Sequence, residues 1–285
     1  MKKVLITGCN GQLGRSLNYL LKDTDIEVIN TDVDNLDICD WEQVRKVVTE
    51  NKPDTIINCA AHTAVDKCET DKENAERINA LGPKNLAKAA ALIDAQIVQV
   101  STDYVFAGDA DKPYIESDEP APQSVYGSTK LAGEKAVMAE TDKYFIVRTA
   151  WLYGEGNNFV RTMLRLAKDH DEITVVNDQF GSPTSSLELA RMILHIIPTG
   201  EYGIYHGTCE GITSWYEFAC EIMRQSGSST KIVPVTTDEY PASVAKRPAY
   251  SVLDNKKLNS MGDYRMKQWK DALTEYMDMM GYSAK

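Results

Sequence analysis

The sequence predicts an α/β fold built on a doubly wound parallel sheet, followed by a smaller C-terminal lobe. Three observations predict it. In the first half, short apolar runs alternate with amphipathic helical segments; a glycine-rich turn follows the first apolar run; and the alternation becomes irregular after about residue 150. Such alternation favours a parallel sheet whose crossover connections are right-handed.

The strands of this sheet are predicted where apolar runs are short and bounded by polar or turn residues. They cover Val4 to Ile6, Ile26 to Ile29, Thr55 to Ile57, Ile97 to Val100 and Phe145 to Val147. Helical spacing lies between them, for example from Leu13 to Leu21 and from Ala87 to Leu92. Ligands of parallel sheets bind outside the carboxyl ends of the strands, so we expect the site there.

The second half contains helical stretches separated by turn-rich loops. The helices are predicted at Phe159 to Lys168, Leu187 to Ile197, Trp215 to Gln225 and Gln268 to Met280. We interpret residues 1–150 as a dinucleotide-binding domain and residues 151–285 as mainly a substrate-binding lobe, with some segments returning to the sheet. The chain has no long linker, so we expect both parts to pack as one unit.

Composition and charge exclude several classes of partner. The chain has 285 residues, 43% of them hydrophobic, and a formal net charge of −11. So acidic a surface repels nucleic acid and anionic membranes. Apolar runs fall short of the ~20 residues that span a bilayer. Six cysteines form no Cys-x-x-Cys pair and indicate reduced thiols, hence a cytoplasmic protein. The four scattered histidines do not indicate a metal site.

The glycine-rich turn between the first strand and the first helix predicts a Rossmann-type cofactor site. The residues expected to contact a dinucleotide are Gly8, Gly11, Gln12, Leu13 and Gly14. Glycines there permit a tight turn, close approach of the backbone to pyrophosphate, and close packing of helix on strand. The helix N-terminus adds free N–H groups for a phosphate.

Polar residues after the second strand are expected to contact the adenosine half of the cofactor. Asp32, 18 residues after Gly14, can accept hydrogen bonds from a ribose and disfavours a 2′-phosphate. Arg15 has the opposite effect, because it could reach such a phosphate. NADH and NADPH therefore both stay open. Asp37 and Ile38 are expected at the edge and face of the adenine.

Small residues end the third strand and are expected to let the backbone lie close to a flat ligand. They form the segment Ala60, Ala61, His62 and Thr63. We interpret His62 as a polar residue that lines the cofactor site rather than as a metal ligand or a base.

Tyr126 and Lys130 lie four residues apart and share one face of a predicted helix. A cation beside a phenol favours the phenolate, so we expect Lys130 to lower the tyrosine pKa and to let the pair exchange a proton near neutral pH. Ser101-Thr102 precedes the pair and supplies a further hydroxyl.

Several segments together resemble the extended short-chain dehydrogenase/reductases, and among them the dTDP-4-dehydrorhamnose reductase family. They are Ala60 to Asp66, Ser101 to Phe106, Tyr126 to Lys135, Arg148 to Trp151, Asn157 to Phe159, Asn177 to Thr184 and Lys246 to Pro248. The glycine turn and Tyr-x-x-x-Lys indicate only the superfamily. Ser-Thr-Asp-Tyr-Val-Phe and Asn-Asp-Gln-Phe-Gly-Ser-Pro-Thr are more specific.

The resemblance implies NAD(P)H-dependent reduction of the C4 ketone of dTDP-4-dehydro-L-rhamnose to dTDP-L-rhamnose. It implies that Tyr126 donates the proton, Lys130 holds the nicotinamide ribose and Thr102 orients the carbonyl. The substrate residues it implies are Thr102, Asp103, Tyr104 and Trp151, to which we add Arg247 as a diphosphate ligand.

Two alternatives accompany this prediction. One is a dinucleotide-binding regulatory subunit that resembles the β subunit of methionine adenosyltransferase; the other is a related nucleotide-sugar epimerase. Some members of the resembled family are thought to dimerise through a metal held by acidic residues, one of them directly after the glycine turn. Here that position is Arg15, which predicts no metal bridge and a monomer or weak homodimer.

Overall fold

The buried apolar runs of the first half form parallel strands in the computed structural model, which describes residues 1–240 and 244–284. They are β1 to β5 of the following list, which gives the strands of both halves of the described chain. The strands are β1 (Lys3–Thr7), β2 (Glu27–Thr31), β3 (Thr55–Asn58), β4 (Gln96–Thr102), β5 (Tyr144–Thr149), β6 (Leu152–Tyr153), β7 (Glu172–Val176), β8 (Phe180–Gly181), β9 (Thr184–Ser185), β10 (Gly203–His206), β11 (Thr213–Ser214) and β12 (Lys231–Val235). All five strands predicted from the apolar runs are confirmed.

Helices follow most of the strands. They are α1 (Gln12–Leu21), α2 (Trp41–Asn51), α3 (Val65–Thr70), α4 (Lys72–Glu76), α5 (Gly82–Leu92), α6 (Val125–Glu140), α7 (Phe159–Leu166), α8 (Ser186–Ile196), α9 (Trp215–Ser226), α10 (Lys256–Met261) and α11 (Trp269–Met279). A π-helix, Arg77–Leu81, joins α4 to α5. Within the described residues, no helix has the length and apolar character that a bilayer span requires.

The main sheet has the order β10-β5-β4-β3-β1-β2, with every neighbouring pair parallel. From β1 the chain passes to β2 on one side and then to β3 on the other. The order therefore reverses between β1 and β3, and a crevice at such a reversal is the usual ligand site of an open α/β sheet. The predicted α/β fold is confirmed.

Helices cover both faces of this sheet. On one face, Leu17 of α1 and Ile193 of α8 pack against Val4 and Val147 of the strands. On the other face, α2, α5 and α6 pack on the sheet through the cluster that includes Leu86. Helix α8 and strand β10 come from the second half of the sequence, so that half contributes directly to the sheet.

Several other second-half elements form a separate apolar cluster. It is built around β7, β12, α7, α9 and α11, with Phe218 and Trp269 near its centre. This cluster stands beside the carboxyl ends of the sheet strands, because the segment that follows β5 continues directly into it. The functional division near residue 150 stays a prediction.

Candidate functional site

A cleft of about 830 Å³ opens at the carboxyl ends of the sheet strands. Its lining includes Gly8, Gly11, Gln12, Leu13, Asp32, Asp37, Ile38, Ala60, Ala61, Thr63, Thr102, Asp103, Tyr104, Tyr126, Lys130 and Trp151. The structure thus brings together most of the residues that were predicted from sequence. Three others, Gly14, His62 and Arg247, lie outside this lining and are described below.

The glycine turn forms a shallow backbone cradle at one end of the cleft. Gly8 has a φ of +61°, and a Cβ there would lie 2.8 Å from the amide nitrogen of Ala60. Gly14 faces the turn rather than the cleft, because a Cβ there would lie 2.5 Å from the carbonyl oxygen of Gly8. Gly14 therefore permits helix α1 to pack against the turn and does not itself line the site.

The two carboxylates at the adenosine end of the cleft, Asp32 and Asp37, are already hydrogen-bonded within the protein. Asp32 already accepts hydrogen bonds from the backbone N–H groups of Asn10, at 3.0 Å, and Val33, at 2.8 Å. Arg77 lines the cleft and donates to Asp37 at 3.1 Å. The N–H of Cys39, and after it Arg77, hold the pKa of Asp37 below its usual range. Arg77 was not predicted from sequence, because it lies 40 residues from Asp37 in a helical segment without a recognisable motif.

Arg15 does not reach into the cleft. Its guanidinium donates to Glu155 at 2.5 Å and to the carbonyl of Asn10 at 2.8 Å. Glu155 itself lines the cleft, next to the glycine turn. The pairing ties the loop after β6 to the cofactor end, and it engages the cation that sequence reasoning considered for a 2′-phosphate.

His62, expected at the cofactor site, is absent from the lining of the cleft, and its role stays a prediction. Its Nδ1 lies 3.4 Å from Cys68 Sγ and its Nε2 3.8 Å from Asp71. The His62 N–H and carbonyl are both hydrogen-bonded to the side chain of the buried Asn79. Within residues 1–240 and 244–284, no group of His, Cys, Asp and Glu could hold a metal ion.

Tyr126 and Lys130 lie on the first turns of α6 and face the end of β4. The helix begins after Ser124, whose hydroxyl accepts from the Gly127 N–H at 3.1 Å. A Cβ at Gly127 would lie 2.1 Å from the carbonyl oxygen of Tyr104, so only glycine allows this helix start. The Tyr126 ring meets Tyr104 edge-on, with 5.4 Å between centroids.

Burial decides the protonation of this pair. It raises the pKa of Tyr126 well above its ordinary value, although a hydrogen bond with Thr102 opposes the shift. Burial also lowers the pKa of Lys130 to about 8. Lys130 Nζ donates to the carbonyl of Val100 at 2.6 Å.

The expected lowering of the tyrosine pKa is therefore wrong for this structure, because burial of the phenol raises the pKa by more than the hydrogen bond with Thr102 lowers it. At neutral pH Tyr126 is a protonated phenol, and most Lys130 side chains carry a charge.

Asp103 is a buried carboxyl at the side of the cleft away from the glycine turn. Its Oδ1 accepts from Thr102 at 2.8 Å, whereas Oδ2 has no hydrogen-bond partner in the described part of the chain. Burial raises its pKa to about 6. A buried acceptor without a partner is costly unless something else satisfies it.

Trp151 enters the cleft with a strained backbone. Its φ of +49° lies in the left-handed region, which bulky residues rarely adopt. The indole is held on its other face by Trp215, with 3.6 Å between ring centroids and 8° between planes. Its Nε1 donates to Ser251 at 3.2 Å. The stacking on Trp215 and the hydrogen bond to Ser251 together stabilise the strained conformation of Trp151.

Arg247 lies next to the cleft rather than in it. Its guanidinium donates to Asp66 at 2.7 Å and to the hydroxyl of Tyr104 at 3.1 Å. Tyr104 lines the cleft, so Arg247 is one side chain away from the pocket. The sequence suggested a free cation for a diphosphate; in the structure this cation is neutralised by a carboxylate.

Comparison with known proteins gives a consistent result. The family model described as "RmlD substrate binding domain" matches residues 1–281. A curated dTDP-4-dehydrorhamnose reductase of Streptomyces griseus is 42% identical over 95% of this chain and 91% of its own length.

Two solved structures are similar over nearly the whole chain. A dTDP-4-dehydrorhamnose reductase from Clostridium acetobutylicum is 55% identical, with a TM-score of 0.96, over 98% of this chain and 99% of that one. Another from Bacillus anthracis, in complex with NADP, is 43% identical, with a TM-score of 0.95, over the same shares of the two chains.

Proposed function

Because this chain belongs to the RmlD substrate binding domain family, we propose that it is an NAD(P)H-dependent dTDP-4-dehydrorhamnose reductase. The reaction is reduction of the C4 ketone of dTDP-4-dehydro-L-rhamnose to dTDP-L-rhamnose. The observation that carries the proposal is the meeting of Thr102, Tyr126 and Lys130 in one cleft with the glycine cradle. That combination provides a dinucleotide site, a proton donor and a cation side by side.

The cofactor end of the cleft fits a dinucleotide. A Cβ at Gly8 would close the cradle, and the buried Oε1 of Gln12 has no partner among the described residues. In the proposal Gly8, Gly11 and the first turn of α1 hold the pyrophosphate, while Asp32, Asp37 and Ile38 surround the adenosine. Ala60, Ala61 and Thr63 lie along the nicotinamide side. The bound dinucleotide supplies the hydride.

Tyr126 is the proposed proton donor. Its burial keeps the phenol protonated at neutral pH, and a reduction needs a proton for the oxygen that becomes an alkoxide. Thr102, whose hydroxyl donates to Asp103 in this structure, turns that proton to the same oxygen when the substrate binds. A donor aimed at developing charge in a dry site contributes ~2.7–4 kcal/mol. Lys130 holds the nicotinamide ribose and keeps a positive charge beside the phenol while the proton leaves.

The substrate residues surround the opposite part of the cleft. Asp103 Oδ2 is an unsatisfied acceptor within the described residues, and a sugar hydroxyl would satisfy it. Trp151 lines the same part of the cleft and gives the deoxysugar an apolar contact. Tyr104 lines the same wall, and Arg247 exchanges its contact with Asp66 for the diphosphate. An exchange of this kind keeps the cation neutralised until an anionic substrate arrives.

The test is a coupled assay with enzymatically made ketosugar nucleotide and each cofactor separately. Oxidation of NADH or NADPH, followed by its absorbance, is expected only when the ketosugar is present, with dTDP-L-rhamnose as the product. Absence of oxidation with both cofactors would overturn the proposal. An epimerase would instead convert the sugar without net cofactor consumption.

A regulatory subunit resembling the β subunit of methionine adenosyltransferase would bind the dinucleotide without turnover and would co-purify with a synthetase. The cytoplasmic location and the monomeric or weakly dimeric state stay predictions.

A further inference from the structure

A buried carboxylate joins three of the elements that carry the proposed site. Glu134 of α6 is fully buried, and it accepts hydrogen bonds from Arg148 Nε at 3.0 Å and Arg148 Nη2 at 2.7 Å. The hydroxyl of Ser101 donates to the same carboxylate. Ser101 on β4 and Arg148 on β5 are direct partners across the sheet. One side chain of the helix is therefore fixed to two neighbouring strands at a single point.

Each of the three elements delivers a site residue close to this point. Thr102 follows Ser101 directly, Lys130 lies one helical turn before Glu134, and Trp151 lies three residues after Arg148. We propose that Glu134 is a positioning residue, which fixes α6, β4 and β5 so that Thr102 and Lys130 keep their places in the cleft. The roles of Thr102 and Lys130 in catalysis rest on the proposed function. The contacts of Glu134 that hold the three elements together do not depend on it.

The pair is buried rather than solvated, and Arg148 Nη1 has no hydrogen-bond partner among the described residues. Arg148 is 2% exposed, and its guanidinium lies over the Phe106 ring, 5.0 Å from the ring centroid. On the other side of β5, His206 is the sheet partner of Arg148. Burial, and after it Arg148, lower the pKa of His206 to about 3, so this histidine is neutral. Glu134 is the carboxylate that balances Arg148.

Glu134 also acts electrostatically on Lys130. Two titratable groups raise the Lys130 pKa against the effect of burial: Glu134 on its own helix, and Cys59 just after β3. Glu134 is also the ion-pair partner of Arg148, at 2.7 Å. Removing the negative charge of Glu134 leaves both cations less compensated. The charged form of Lys130 is then disfavoured, and its pKa falls.

The experiment compares Glu134→Gln with Glu188→Gln as a matched control. Glu188 is also a buried carboxylate on a helix, 2% exposed, and it accepts hydrogen bonds from Arg191, Tyr264 and Lys267. It does not line the cleft. Both variants lose a buried negative charge, so a loss of melting temperature alone does not distinguish them.

Two measurements distinguish a positioning residue from a merely structural one. The first is the Lys130 pKa, read by NMR of ¹³C-labelled lysine, with the signal assigned by its absence in Lys130→Met. The second is steady-state kinetics with the ketosugar. We expect Glu134→Gln to lower the Lys130 pKa and to reduce kcat by about 10- to 100-fold, with a smaller rise in the dissociation constant for NADPH, because Lys130 also holds the nicotinamide ribose. Glu188→Gln should leave the Lys130 pKa and kcat at their wild-type values.

An unchanged Lys130 pKa in Glu134→Gln, or an equal change in Glu188→Gln, would overturn the proposal. Ser101→Ala keeps the ion pair and removes one hydrogen bond, so it tests the fixation of β4 even if Glu134→Gln fails to fold. We expect about a two- to ten-fold loss of kcat in Ser101→Ala at an unchanged Lys130 pKa; wild-type kcat would refute that part. A wild-type protein without turnover would refute the proposed function, and the Lys130 titration would still decide the role of Glu134.

Discussion

Replacing Asp103 by asparagine should make the protein more stable at neutral pH than at acidic pH, relative to wild type. The carboxyl is 4% exposed, and burial raises its pKa to about 6 from an ordinary value of 3.8. Between those two pH values the unfolded chain has lost the proton while the folded chain keeps it. The wild type therefore loses stability as pH rises through this window, and the loss is complete above the folded-state pKa. An amide has no such dependence.

The size of this loss of stability follows from the folded and ordinary pKa values of Asp103. A difference of roughly two pH units, at about 1.4 kcal/mol for each, is a destabilisation of about 3 kcal/mol at pH 7. At pH 4 most of it is absent, because the unfolded carboxyl is then only partly ionised. The Asp103→Asn variant would also bury an amide N–H₂ group, whose free-energy cost is independent of pH. The difference between the two pH values, about 2 kcal/mol, isolates the ionisation from that cost.

The assay is urea unfolding followed by tryptophan fluorescence at several pH values from 4 to 7. Asp23→Asn is the matched control, because this carboxyl is 85% exposed. We expect the difference in unfolding free energy between Asp103→Asn and wild type to move by about 2 kcal/mol in favour of the variant, and the control difference to stay constant. A pH-independent difference for Asp103→Asn would refute the reasoning. In the ketosugar assay the variant should show a raised KM. The Asp103 carboxylate would then improve substrate binding at the cost of stability at neutral pH.

Three further predictions concern the proposed site. Tyr126→Phe should lose at least about 100-fold in kcat while cofactor fluorescence titration gives a wild-type dissociation constant, since only the proton donor is removed; retained turnover would contradict the assigned role. Asp32→Asn should raise the ratio of kcat/KM for NADPH to that for NADH by about ten-fold, because a negative charge near the ribose is removed; an unchanged ratio would contradict it. Gly14→Ala should lower stability by about 1–3 kcal/mol and weaken NADPH binding, as its Cβ would lie 2.5 Å from the Gly8 carbonyl. Gly11→Ala, with 3.2 Å to the same oxygen, is the milder comparison, and equal losses in both would contradict the steric argument.

The parts of the fold and site that could be predicted from sequence are those set by local patterns. The strand Val4 to Ile6 is a short apolar run that is wholly buried in the structure, and it needed no knowledge of distant residues. The glycine turn is encoded in the same way, by backbone conformations that only small residues adopt. The spacing of Tyr126 and Lys130 fixes a common helix face wherever the helix lies. Proximity of these features at the strand ends then follows from the parallel topology.

The parts that sequence reasoning missed depend on contacts between distant segments. Arg77 reaches Asp37 across 40 positions of the sequence. Arg247 meets Asp66 across 181 positions. Asn79 hydrogen-bonds the backbone of His62 across 17 positions. None of these pairings has a period or a motif, so the side chains appear in the sequence as free polar groups.

Tyr126 lines the cleft, but the direction of its pKa shift differs from the one predicted from sequence. From sequence, the neighbouring ammonium predicts a lowered phenol pKa, because the only visible influence is the charge four residues away. In the structure the phenol is buried beside Tyr104, and desolvation determines the direction. A raised pKa keeps Tyr126 in its protonated form at neutral pH and makes the phenolate form scarce. Reduction of a ketone starts from the protonated tyrosine, whereas oxidation of an alcohol needs the phenolate, whose population falls as pH falls. A pH profile should therefore show reduction persisting to lower pH than the reverse reaction, and superimposable profiles would contradict this.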